Sequence, residues 1–206
     1  STRVRSSAAS DVYKRQMLFD MNMQMQAPTT EIIRGERLLN GAIRRMYTSR
    51  NFYPDANSTM RLSFGTVCGY TPFDGAEYDY YTTAKGILEK VRAHAGDVDF
   101  EVQPELLSLL SSGDFGRYAD EKGEMNVCFI SNNDITGGNS GSAMFNAKGE
   151  LLGLAFDGNW EAMSSDILYE PKMQRTIGVD VRYILFMIEK YGKAGNLIQE
   201  LKLANP

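Results

Sequence analysis

Apolar residues recur at near-helical spacing from Ile32 through Leu39, Ile43 and Met46, with Arg34, Arg37, Arg44 and Arg45 between them. This predicts an amphipathic helix that Thr29 or Thr30 can cap, with Glu31 in its first turn, and that ends before Pro54. The Met- and Gln-rich stretch Met17–Gln26 is expected to start a separate helix, and YPDANST is turn chemistry. The pattern then changes. Met60, Leu62 and Phe64 alternate with polar or small residues, which predicts a strand running into Val67. Thr71 to Tyr81 reads as loop, Thr83–Ala93 as a short helix and Pro104–Leu110 as another, opening on a proline that the first helical turn tolerates. Strands are expected at Met125–Ile130, Ala143–Phe145 and Leu151–Phe156, the last two flanking the turn Asn146-Ala147-Lys148-Gly149, with Arg175–Val179 also extended. Tyr183–Glu189 and Ala194–Leu203 are predicted helices. Helix first, then short strands with tight turns, then helix describes a mostly β domain with α-helical segments.

The opening residues break this order. STRVRSSAASDVYKRQ carries four basic residues and one acid, has no apolar periodicity, and is not followed by the apolar stretch of a signal peptide. Residues 1–16 are therefore expected to be a non-native or disordered tail, residues 17–54 the end of a helical domain, and residues 55–206 a β domain with closing helices.

Composition narrows the function classes. Across 206 residues, 22 basic side chains face 26 acidic ones, so no basic excess points to nucleic acid or an anionic membrane. The longest apolar run, Ile184–Ile188, is far too short to span a bilayer. Cys68 and Cys128 permit at most one disulfide; both fall in expected strands and read as buried, inert thiols. No His/Cys spacing fits a structural zinc site, and neither metal nor cofactor is expected. The aromatic cluster Tyr70, Phe73, Tyr78, Tyr80 and Tyr81 lacks interleaved basic residues and reads as packing. One histidine exists, His94, beside Asp97 and Asp99 on a loop, where a surface or capping role is expected.

The chemistry is concentrated in the loop Asp134-Ile135-Thr136-Gly137-Gly138-Asn139-Ser140-Gly141-Ser142. Glycines on both sides of one serine allow torsions that a Cβ forbids and leave main-chain N–H groups beside the hydroxyl. Such donors can hold a developing oxyanion, about 3–4 kcal/mol each in serine hydrolases. The short motif alone is weak. It precedes a β-hairpin, not a helix, which disfavours the nucleophile elbow of α/β-hydrolases and favours the second barrel of a chymotrypsin-like peptidase.

The blocks TGGNSGSAMFNAKGELLGLAFDGNWEAMSSDILYE, RTIGVDVRYILFMIEKYGKAGNLIQEL and NFYPDANSTMRLSFGTVCGYTPFDGAEYDYYTT, in this spacing, resemble the C-terminal part of the bacterial dipeptidyl peptidase 7 and 11 family. The resemblance runs from about residue 30 to residue 203. It implies a chymotrypsin-like double β-barrel with an inserted helical domain, of which this chain would carry the end of the insertion and the second barrel. By resemblance, Ser140 is the nucleophile, the amides of Gly138 and Ser140 form the oxyanion hole, and Asp157 binds the substrate's N-terminal amine. Gly158 stands where the family shapes the pocket for P1, the residue before the scissile bond. The acid-specific branch has arginine there, so glycine implies an open pocket for apolar or aromatic P1, and Gly158→Arg is expected to turn the preference acidic. The family's catalytic histidine and aspartate come from a region with no counterpart in this sequence, which implies an isolated fragment without activity. The resemblance further implies peptide substrates with a free N-terminus, a homodimeric parent, and a periplasmic or cell-surface location in a Gram-negative bacterium. A trypsin-like endopeptidase and a non-catalytic interaction domain of the same fold are the alternatives. Trp160 is expected either to line the cleft or to pack in the core.

Overall fold

The computed structural model describes residues 29–49, 52, 58–165 and 169–204. The expectations for residues 1–16 and Met17–Gln26, and most of YPDANST, lie outside them. The chain divides into two units, Ser1–Pro54 and Asp55–Pro206. In the first, residues 29–46 form helix α1, with Ile32, Leu39 and Met46 exposed. In its last turn, the Arg44 guanidinium lies 5.1 Å from the centre of the ring of Phe52, which follows the helix.

The second unit is built on a five-stranded antiparallel sheet: β1 (Tyr81–Thr83), β2 (Asn126–Ser131), β3 (Ala143–Phe145), β4 (Leu151–Gly158) and β5 (Thr176–Asp180), in the order β1-β2-β5-β4-β3. Helices α2 (Ala84–Ala93) and α3 (Pro104–Ser112) precede β2, and α4 (Val181–Phe186) and α5 (Gly195–Gln199) close the chain. Local rules explain their ends. Pro104 sits in the first turn of α3, which stops at Gly113, held at φ +69°. Asp180 caps α4 by accepting from the Arg182 amide and also pairs with its guanidinium at 2.7 Å. Helical residues outnumber strand residues among those described, so the unit is more helical than a mostly β domain. The sheet has two edges, β1 and β3.

The core lies at the helical end. Ala84, Leu110, Phe115, Tyr118, Met125 and Phe186 are buried together, flanked by Ile87, Leu106 and Val127. The middle of the sheet packs differently. Phe129 on β2 covers Gly178 opposite it on β5; a Cβ on Gly178 would stand 2.7 Å from Phe129 Cζ and 2.8 Å from Met144 Sδ. The missing side chain is the space the ring occupies.

Three expected elements also differ from what is observed. Met60–Phe64 is not a strand: Met60, Leu62 and Phe64 are 98%, 88% and 87% exposed, and only Val67 bridges Ser131. The Thr66 amide donates to the Asn132 side chain at 2.6 Å where a strand would use a partner's carbonyl, and Ser63 Oγ donates to Asp134 O at 2.6 Å. Part of the expected loop 71–81 is ordered instead as a bridge between Tyr70 and Tyr78, whose rings meet edge-on at 5.3 Å. The final helix covers only Gly195–Gln199, short of Leu203.

Candidate active site

Two elements build the site: the loop 132–142 and the end of β4. Gly138 and Gly141 adopt φ of +94° and +81°, which a Cβ would penalise, so the loop turns back on either side of Ser140. Asn139 holds the turn. Its Oδ1 accepts from the Thr136 amide and from Arg61 Nη2, both at 3.2 Å, while its own amide donates to Thr136 O. The Gly141 amide donates to Ala155 O at 2.7 Å, and the Ala155 amide to Ser142 O at 2.8 Å. The amides of Asn139, Gly141 and Ser142 are thus spent on the fold, whereas those of Gly138 and Ser140 have no acceptor among the described residues.

β4 departs from regularity beside this loop. Ala155 pairs with Gly178 and Asp157 with Ile177, leaving Phe156 as an extra residue in a β-bulge. A bulge interrupts the alternation of faces, and here Phe156 and Asp157 are both exposed after the buried Ala155. The exposed Ser140 Oγ donates to the Phe156 carbonyl at 3.4 Å, a long contact that leaves the hydroxyl free to reorient. The bulge therefore joins Ser140 to the residue before Asp157. Asp157 Oδ1 accepts from the Gly158 amide at 2.7 Å.

Asp157 and Gly158 line a cleft of about 180 Å³, with Gly137, Thr136, Ala162 and Tyr169 among its other walls; Ser140 and Gly138 lie outside the lining. Tyr169 donates to Asn132 O at 2.5 Å, and burial raises its pKa, which keeps the phenol a neutral donor. Arg175 is 6% exposed in the same wall. Its guanidinium donates to the carbonyls of Cys68, Gly69, Pro171, Lys172 and Gln174, and lies 5.4 Å from the centre of the Tyr70 ring. Asn159 fixes the turn that follows: its Nδ2 donates to Glu161 and to Met173 O, and its Oδ1 accepts from the Arg175 amide. Tyr70 also donates to Glu161, at 2.9 Å; burial is the first cause of that phenol's raised pKa.

Other candidates fall elsewhere. His94 ends α2 and stacks on Phe100 at 4.1 Å, with no contact to Ser140. Trp160 is 84% exposed and is neither in the core nor in the cleft lining. Cys68 and Cys128 are free thiols, half-buried and not sealed in the core as expected; burial pushes the Cys128 thiol up, towards the unreactive protonated form. Among the described residues no three His, Cys, Asp or Glu side chains cluster as a metal site, and no helix is long and apolar enough to cross a membrane. Asn139, Asn159, Ala162 and Arg175 were not singled out from the sequence. Asn139 stood inside the loop motif, but its acceptor role depends on the loop closing on itself and on Arg61 arriving from 78 residues away.

The site thus consists of an exposed serine on a glycine-turned loop, a bulged strand end against which that serine lies, and a cleft that begins at Asp157 and Gly158. The Peptidase S46 family matches residues 6–203, and the chain belongs to that family. It is 55% identical over 172 residues to dipeptidyl-peptidase 7 of Porphyromonas gingivalis, covering 84% of this chain and 24% of that protein. It is 48% identical over 155 residues to an Asp/Glu-specific dipeptidyl-peptidase of Capnocytophaga gingivalis, covering 75% of this chain and 22% of the relative. The crystal structure of Porphyromonas endodontalis DPP11 with the dipeptide Arg-Glu superposes with a TM-score of 0.70 at 41% identity, over 78% of this chain and 23% of that one. The chain thus spans about a quarter of the length of these relatives.

Proposed function

We propose that this chain is the nucleophile-bearing portion of a serine dipeptidyl peptidase that releases dipeptides from free peptide N-termini. In this assignment residues 55–206 belong to the second barrel of a chymotrypsin-like double β-barrel, preceded by the end of a helical domain. Ser140 Oγ forms a bond to the carbonyl carbon of the second substrate residue. Its proton passes to a base that the family resemblance places outside this chain; His94 stacks on Phe100 and makes no contact with Ser140. The amides of Gly138 and Ser140, which have no acceptor among the described residues, take the oxyanion. The C–N bond then breaks, the leaving amine takes the proton, and water hydrolyses the acyl-enzyme. Asp157 anchors the substrate ammonium by a charge-assisted bond, which selects a free amine and fixes the register. Gly158 leaves the P1 pocket open and uncharged, for an apolar or aromatic side chain. The parent is placed in the periplasm or at the cell surface, as a homodimer, by its resemblance to the family.

The observation that carries this is the bulge at Phe156, whose carbonyl receives the exposed Ser140 and which immediately precedes the exposed Asp157 near the end of β4. The dipeptidyl-peptidase names of the relatives support it. The test is made on the full-length protein with free and N-terminally blocked peptides. Ser140→Ala should abolish hydrolysis, by about 10⁴-fold or more. Asp157→Asn should impair free-amine substrates far more than blocked ones. Hydrolysis that survives Ser140→Ala would remove Ser140 as the nucleophile, no hydrolysis by the wild type would point to a non-catalytic interaction domain, and equal activity on blocked peptides to an endopeptidase.

A further inference from the structure

Resting on the assignment of Gly158 to the P1 pocket, we propose that Ala162 is a second specificity-determining residue, which limits what can stand at position 158. A Cβ built on Gly158 would lie 2.9 Å from Ala162 Cβ and 3.9 Å from Arg175 O. Carbon atoms pack best at about 3.5–4.0 Å, so the first of these is a collision. The Ala162 methyl has no torsion that would swing it clear; it yields only if the backbone of the short helix Trp160–Ser164 yields.

That helix is pinned. The Ala162 amide donates to Asn159 O and the Ser165 amide to Ala162 O, both at 2.9 Å. Glu161 receives Tyr70 at 2.9 Å and Asn159 at 2.8 Å, and Asn159 is tied in turn to Met173 and Arg175. Moving Ala162 aside therefore loosens contacts to the 68–70 segment and to the start of β5. Gly158 and Ala162 both line the cleft, so their pairing sets its width.

The same geometry bears on charge. Arg175 is a cation in the cleft wall, but its guanidinium is occupied by five carbonyls. An acidic P1 side chain is offered no donor by it. An arginine introduced at 158 would have to supply that donor, and its Cβ meets Ala162 first. One exchange at 158 is thus insufficient to create an acid-specific pocket here; the exchange needs a smaller residue at 162.

The test uses the full-length protein and peptides differing only at P1, apolar against Glu, with fluorophosphonate labelling of Ser140 to count competent enzyme. Gly158→Ala should lower kcat/KM on bulky apolar P1 by about tenfold, and adding Ala162→Gly should restore most of the loss. Gly158→Arg alone should gain no activity on Glu at P1, and Gly158→Arg with Ala162→Gly should exceed it on that substrate by at least about tenfold. Should Gly158→Arg cleave Glu substrates as well as the double variant does, or should Ala162→Gly rescue neither background, the role of Ala162 is overturned while the pocket assignment stands. Should every Gly158 variant keep the wild-type P1 profile, the pocket assignment itself falls. Gly158→Ala keeps the test informative if the arginine variant does not fold.

Discussion

Replacing Asn139 by alanine removes the acceptor that closes the Ser140 loop. Two bonds go, one from the neutral Thr136 amide and one from the Arg61 guanidinium, each 3.2 Å long. A neutral bond contributes about 0.5–1.5 kcal/mol and one to a charged group about 1.5–3 kcal/mol. At 3.2 Å both belong near the low end, so the loop loses about 2 kcal/mol of closure. At 1.4 kcal/mol per decade, that is about 30-fold in the population of the open loop. The Gly141 amide, bonded to Ala155 O at 2.7 Å, reports the opening directly. Its hydrogen exchange, measured by mass spectrometry on the full-length protein, should accelerate by about 30-fold in Asn139→Ala when reclosing outpaces exchange. Asn139→Asp keeps both acceptor contacts and should retain protection. Exchange within about threefold of wild type in Asn139→Ala would refute the clamp, because the two contacts would then be worth under about 1 kcal/mol together.

Two other outcomes follow from the fold. Glu189 accepts from Tyr118 at 2.6 Å and from Arg117 at 3.0 Å, and these contacts, that of Tyr118 first, hold its carboxyl below the usual glutamate range. A depressed folded pKa gives stability that is complete above the ordinary carboxylate value and lost as pH falls through the folded one. Wild type should therefore lose denaturant resistance on acidification more steeply than Glu189→Gln, and parallel curves would reject the coupling. Gly178→Ala forces a methyl against Phe129 Cζ at 2.7 Å and Met144 Sδ at 2.8 Å, and should cost about 1–3 kcal/mol, read as a lowered melting temperature.

The strands that could be read from sequence were those whose own pattern suffices. Ala143–Phe145 appears with the expected bounds, because a short apolar triplet beside an Asn-Ala-Lys-Gly turn is local information. β4 was legible to Phe156 but not to Gly158, because its last residues are organised by a bulge that exists only in register with β5. Met60 to Phe64 shows the opposite failure. Alternation states that a segment has two faces; it does not supply a neighbour. Gly65 approaches the 132–133 backbone so closely that a Cβ would sit 2.7 Å from the Asn133 amide nitrogen, and Asn132 spends its side chain on Thr66. That pairing is settled 66 residues away in sequence. In the proposed site, Ser140, Gly138, Asp157 and Gly158 come from motif and resemblance, and their roles remain the proposal made above. Their neighbours Asn159, Ala162 and Arg175 come from neither, because their importance lies in what they touch. Arg175 in particular is a buried cation surrounded by carbonyls from two stretches of chain, an arrangement that leaves no periodic trace.

The ribbon carrying Met60, Leu62 and Phe64 has a practical consequence for handling. Its main chain is steadied by polar side-chain ties while three greasy groups face water, so the segment is presented rather than frayed. A steady apolar edge is a better adhesive than a floppy one, because a neighbour that sticks to it need not first pay for ordering it. Preparations of this polypeptide by itself should therefore turn cloudy at modest concentration, sooner in warm, salty buffer than in cold, dilute buffer, as expected for clumping driven by oily contact and not by charge.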